Sequence, residues 1–175
     1  YVALTAWLPT YYHEKFGMTL SEAGFVVGLL PLAGLIALAC SAALSFRIKR
    51  RKPFLIIPGI FIGFAGFGSF FVGDNLVLPI VVVLLGVCSW VYIPFLFTIP
   101  IEMPGMSAQR LALVMAVIIT VGSTGSIVSP WLVGFTTDLL GTYWVGFSII
   151  AMGSMSLLLA GRLLPETGQN RKPSS

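Results

Sequence analysis

A single histidine, His13, stands in these 175 residues, and that limits the chemistry at once. No Ser–His–Asp relay and no histidine-built metal site can be assembled around one imidazole in a polar loop. No Gly-x-x-x-x-Gly-Lys-Ser/Thr loop is there to cradle a nucleotide's phosphates. Neither a catalytic residue, a metal ligand nor a cofactor site is expected, so the chain reads as non-enzymatic. What remains is hydrogen bonding. Hydroxyl and aromatic side chains sit deep within apolar runs: Tyr1 and Thr5, then Ser89, Trp90 and Tyr92, then Thr120, Ser123 and Ser126. On helices, Tyr1 and Thr5 share a face, as do Ser89 and Tyr92. Such groups can hold a polar solute, or they can bond back to their own helix carbonyls and glue helices together. Trp90 and Tyr92 suit bundle packing equally, since a buried aromatic needs one polar partner.

Formal charge is confined to the ends of the apolar runs. Arg47, Lys49, Arg50, Arg51 and Lys52 wedge five positive charges between two of them. Glu102 stands between Pro100 and Pro104, with Arg110 beyond. It reads either as a solvated loop carboxylate of little energetic weight, or as the partner of Arg110 or of the 47–52 cluster. No Asp, Glu, Lys or Arg lies near the middle of any run, where an ionisable group would mark a function by default.

The elements that position these residues must be membrane helices. The chain is 57% hydrophobic and 9% charged, against about 25% charged in a soluble domain. Six runs emerge, at about 1–12, 22–46, 53–72, 76–100, 110–135 and 143–164, with a polar, disordered tail at 165–175. A turn is expected at Gly73-Asp74-Asn75, and Ser107 is placed to cap the fifth helix. Barrel strands do not fit, because they need about ten alternating residues each. Cys40 and Cys88 lie inside apolar runs and read as packing residues. Glycines three or four apart (Gly24/Gly28, Gly59/Gly63, Gly122/Gly125) are the expected points of close helix approach.

Positive charge in short loops stays in the cytoplasm. Alternating sides from the basic cluster puts nine of the ten Lys and Arg residues inside, Arg110, Arg162, Arg171 and Lys172 among them, and only Lys15 outside. The net charge of +4 is therefore orientation charge, not a nucleic-acid footprint. Both ends of the unit should be cytoplasmic, in the plasma membrane. The first run would span about 18 Å as a helix, against a hydrocarbon core of about 30 Å. Half a helix is expected to be missing, and the chain to be the C-terminal part of something longer.

The fifth-to-sixth junction reads Gly134-Phe-Thr-Thr-Asp138-Leu-Leu-Gly141 and aligns with 42–52 at the second-to-third junction. The two junctions face opposite sides, as an inverted three-plus-three repeat requires. Asp138 would cap the following helix from the turn. These features together resemble one half of a major facilitator superfamily carrier. The family's loop signature is Gly-x-Leu-x-Asp-Arg-x-Gly-Arg-Arg-Lys. Leu44, Arg47, Arg50, Arg51 and Lys52 match it, whereas Phe46 replaces the acid and Lys49 the second glycine. The lost acid weakens the loop as a gating latch. Leu-Pro-Glu-Thr-Gly at 164–168 is similar to the segment after the last helix of many members.

The resemblance implies an all-α fold, helices seven to twelve of a twelve-helix bundle. In the family, the first and fourth helices of each half line the cavity, with help from the second and fifth. Tyr1, Thr5, Ser89, Trp90, Tyr92, Thr120, Ser123 and Ser126 then become cavity candidates. Arg47, Arg50, Arg51, Lys52, Glu102 and Arg110 become candidates for closing an inner gate. The implied partners are the lipid bilayer, a small-molecule substrate and a missing N-terminal six-helix half. That half would also hold the group that titrates if a proton is coupled.

A narrower resemblance, to cyanate permeases and nitroimidazole exporters, rests on Thr5-Ala-Trp7-Leu-Pro9-Thr-Tyr-Tyr and Ile101-Glu102-Met-Pro104-Gly105-Met-Ser107. It implies a small anion as substrate. Two rivals stand beside it. One is a drug or metabolite exporter of the same fold. The other is a six-span scaffold or sensor that carries nothing, for which the short loops offer no docking surface.

Overall fold

The computed structural model describes residues 1–45, 47–48, 50–71, 77–154 and 156–164. Phe46, Lys49, the 73–75 turn and the 165–175 tail lie outside the described residues. Among those described there is no strand. The elements are α1 (Val2–Phe16), α2 (Leu20–Ser45), α3 (Pro53–Phe71), α4 (Val77–Val91), α5 (Ile93–Glu102), α6 (Ala108–Leu140), α7 (Tyr143–Ser154) and α8 (Ser156–Leu163). Five stretches are long and apolar enough to cross a bilayer: Leu20–Ser45, Pro53–Phe71, Val77–Glu102, Ala108–Leu140 and Tyr143–Leu163.

Several boundaries differ from the sequence expectation, each for a local reason. The first helix continues four residues past Tyr12 and closes at Gly17, whose φ of 67° suits a residue without a Cβ. The second starts at Leu20 rather than 22, because Thr19 and Glu22 form a reciprocal capping box. The Glu22 carboxylate accepts from the Thr19 backbone N–H (2.9 Å) and hydroxyl (2.8 Å), while the Glu22 N–H donates to the Thr19 hydroxyl oxygen at 3.2 Å. Thr19→Ala removes the cap and should lower stability by about 0.5–2 kcal/mol. The thermal unfolding midpoint in detergent reads this directly, and an unchanged midpoint would contradict it. The fourth run is not one helix. Pro94 has no N–H to offer the Trp90 carbonyl, so the rod breaks at Tyr92 into α4 and α5. The fifth helix runs to Leu140, where Gly141 closes it with φ 65° and an N–H donated to the Thr137 carbonyl. Ser107 caps its start as expected, accepting the Arg110 N–H at 3.3 Å.

The helices close a ring. α2 packs on α4, α4 on α3, α3 on α7 and α8, α7 on α6, and α6 on α1, which returns to α2. α5 leans mainly on α2. Away from the basic loop, the core is aromatic. Tyr11 donates to the Phe70 carbonyl (3.0 Å) and meets Phe70, Tyr143 and Phe147 edge-on. The tightest seam is α2 on α4, where Gly86 lies against the Leu30 backbone. A turn on, the Trp90 ring lies over Gly34. The anticipated glycine pairs do not make these contacts. Gly24, Gly28, Gly63, Gly122 and Gly125 meet no atom within 4 Å of where a Cβ would stand, and Gly59 alone of the six touches a neighbour, on α8.

Candidate functional site

The basic end is drawn together by one arginine. Arg51 is almost fully buried, and its guanidinium reaches Glu102 with two nitrogens: Nη2 at 2.7 Å from Oε1 and Nε at 3.3 Å from Oε2. Such a fork fixes geometry as well as charge. Nη1 donates to the Ser45 carbonyl, satisfying a last-turn oxygen of α2. The guanidinium also stands over the Phe95 ring, 5.7 Å from its centroid, and Phe95 is stacked on Phe54 at 4.2 Å. One side chain thus joins the end of α2, the start of α3 and the end of α5. Of the two readings open for Glu102, the solvated carboxylate gives way to the ion pair. Arg47, Arg50 and Arg110 are exposed, and Lys52 is half-buried. Phe95 and Ser45 were not among the expected residues. Neither carried a sequence signal, because the approach of Phe95 to Phe54 depends on how α5 meets α3.

A second feature lies at mid-depth. α6 runs 33 residues, or about 50 Å, and Thr124 is its midpoint. From Ile119 to Val128 every residue is exposed, on all faces of the helix. Across from this stretch, the break between α4 and α5 leaves a groove of about 600 Å³. Tyr92, Leu96 and Phe97 line one wall, and Ile119, Ser123 and Ser126 the other. Another cleft, of about 620 Å³, lies at the opposite end from the basic loop, between the α1–α2 connection and the start of α4. It lies at the ends of its helices, the wrong depth for a central pathway.

The groove brings together Tyr92, Ser123 and Ser126 of the expected candidates. Tyr1 and Trp90 meet separately, edge-on with ring centroids 5.5 Å apart. Thr5 turns its hydroxyl back to the Val2 carbonyl (2.9 Å), and Ser89, buried, turns its own to Leu85 (2.7 Å). Ser89 therefore does not present a polar face with Tyr92. Thr120 is exposed, and its carbonyl accepts from Thr124 at 2.8 Å. The expected junction residues are also redistributed. Asp138 lies in the last turn of α6 rather than in a turn, and the Trp144 N–H is met by the Thr142 hydroxyl instead (3.4 Å). Gly134 packs against Trp7, whose indole N–H donates to the Pro130 carbonyl at 2.8 Å and ties α1 to α6.

Among curated proteins, none matches the chain. A family model described as Major Facilitator Superfamily matches residues 1–109, which take in α1 to α5 and more than half of the 175 residues. With an all-helical ring, apolar helices of membrane length and a mid-depth groove, the chain belongs to the Major Facilitator Superfamily, a family of secondary transporters.

Proposed function

We propose that the chain forms one wall of the solute pathway in a carrier that works by alternating access, as helices seven to twelve against a second six-helix half. The observation that carries this is the mid-depth stretch of α6, exposed on every face and set across an open groove from Tyr92. A helix left bare at its midpoint is suited to a partner that closes over it. Gly24 and Gly28 on α2, and Gly122 and Gly125 on α6, leave room for a close backbone approach. Arg51 and Glu102 then act as the latch that holds the basic end shut, and that end faces the cytoplasm of the plasma membrane. Of the finer readings, a small anion asks for a cation in the wall, and the groove's lining is uncharged. That favours a drug or metabolite exporter.

The test is reciprocal accessibility in the natural gene product, with Cys40→Ser and Cys88→Ala removing the native thiols. Phe97→Cys reports on the groove's basic side, and Trp131→Cys on its far side. Adding Glu102→Gln should open the latch. Labelling by a membrane-impermeant maleimide should then rise several-fold at position 97 and fall at position 131. A rise at both would indicate a leak, and no change at either would favour the scaffold reading.

A further inference from the structure

We infer that the mid-depth groove takes a neutral, aromatic-sized organic solute, held by apolar contact and by the hydroxyls of Tyr92 and Ser123. This rests on the carrier reading above and names the class of its substrate. The groove, of about 600 Å³, is open on one side, and the second half of the carrier would close it over a solute. Its walls are aliphatic and aromatic, with no charged side chain in either. The nearest charged residues along α6 are Arg110 and Asp138, more than two turns beyond the groove at either end.

Hydrogen bonding narrows the ligand further. Most hydroxyls around the groove are already committed to their own helices. Ser126 donates to the Gly122 carbonyl at 3.0 Å, Thr124 to Thr120 at 2.8 Å and Thr98 to Pro94 at 2.6 Å. Tyr92 and Ser123 make no side-chain hydrogen bond among the described residues, and both line the groove. Two uncommitted hydroxyls on opposite walls of an apolar slot suit a solute with a flat apolar body and one or two polar edges. This wall offers a small anion neither the charge nor the several aligned amides that would replace its hydration. The start of α5 does not supply those amides. Pro94 has no N–H, and the Leu96 N–H is taken by the Tyr92 carbonyl at 2.9 Å.

The test uses Ser126→Cys, a lining position whose hydroxyl is already committed to its own helix, in the natural gene product carrying Cys40→Ser and Cys88→Ala, reconstituted in vesicles and labelled with a membrane-impermeant maleimide. The probes are indole and nitrobenzene as neutral aromatics, and cyanate and nitrate as anions. Labelling should proceed from water and slow about tenfold with either aromatic at about ten times its Kd, by mass action. Cyanate and nitrate should leave the rate unchanged. Tyr92→Ala should abolish protection, and Tyr92→Phe, which keeps the ring, should weaken it several-fold. Protection by an anion, or by neither aromatic, overturns the substrate class and leaves the carrier reading standing. A thiol at 126 that never reacts from either aqueous side faces lipid, and the carrier reading falls together with the inference.

Discussion

Replacing Gly86 by leucine is expected to open the α2–α4 seam and abolish recovery of a monodisperse protein in detergent. An added Cβ at Gly86 would overlap the Leu30 carbonyl oxygen and stand 3.1 Å from its carbon and Cα. Those atoms belong to the backbone of a packed helix, so no rotamer change can clear them. Forcing extra carbons into a packed interior costs about 1–3 kcal/mol. Gly86→Ala should already show that cost as a lower unfolding midpoint, and Gly86→Leu should exceed it. Gly63 is the control. It also lies inside a helix but meets nothing within 4 Å, so Gly63→Ala carries no steric cost. Equal midpoints for the two alanine variants would show that the seam does not depend on backbone contact.

Glu102→Ala should be the second severe change. It withdraws a carboxylate whose side chain is 21% exposed from an arginine whose side chain is 7% exposed, so the loss should fall towards the lower end of the range for buried pairs. Breaking a buried pair from one side costs about 3–5 kcal/mol. The double variant Arg51→Met with Glu102→Leu removes both charges together, so it should recover most of that loss. The comparison separates a buried pair from a surface one. For a surface pair, both variants would unfold within a degree or two of the parent. The loss should also change little between low and high salt, because buried charges are poorly screened. In the carrier, the double variant would regain stability without regaining the latch.

How much of this could be read beforehand follows from the solvent. Lipid and a bundle interior are both apolar, so the existence of helices was legible in hydrophobic runs, but their buried faces were not. On α2 the buried residues Ala23, Val27, Leu30, Gly34, Ala37 and Ser41 repeat at helical spacing. The exposed face carries Phe25, Leu32, Leu35 and Ile36, which are larger and no less apolar. Small size marks the inside more than hydrophobicity does. Glycine spacing misled for a related reason. The glycines in tight contact, Gly34, Gly59, Gly86, Gly134, Gly146 and Gly161, each meet a particular neighbour, and that depends on how helices cross. The Thr19–Glu22 box is legible as Thr-x-x-Glu, with Thr19 three residues ahead of the run expected to start at 22. The break at Tyr92 falls beside Pro94, but Pro9, Pro31, Pro58 and Pro130 sit inside unbroken helices, so a proline alone did not mark it. Among hydroxyls, sequence could place Ser89, Ser123 and Ser126 at depth but could not tell which of them would turn back on its own helix.

The tie between Trp7 and the Pro130 carbonyl has a consequence for how the chain is made. Its two ends are separated by 123 positions. At a synthesis rate of about 5–20 residues per second, that interval lasts about 6–25 s. Through all of it, α1 has left the ribosome while its indole N–H waits for α6 and its Tyr11 ring waits for Tyr143 and Phe147. α1 can pack on α2 as soon as both are made, but its seam with α6 and α7 closes late. Until those elements arrive, the Trp7 indole N–H must be met by water, by lipid headgroups or by the insertion machinery.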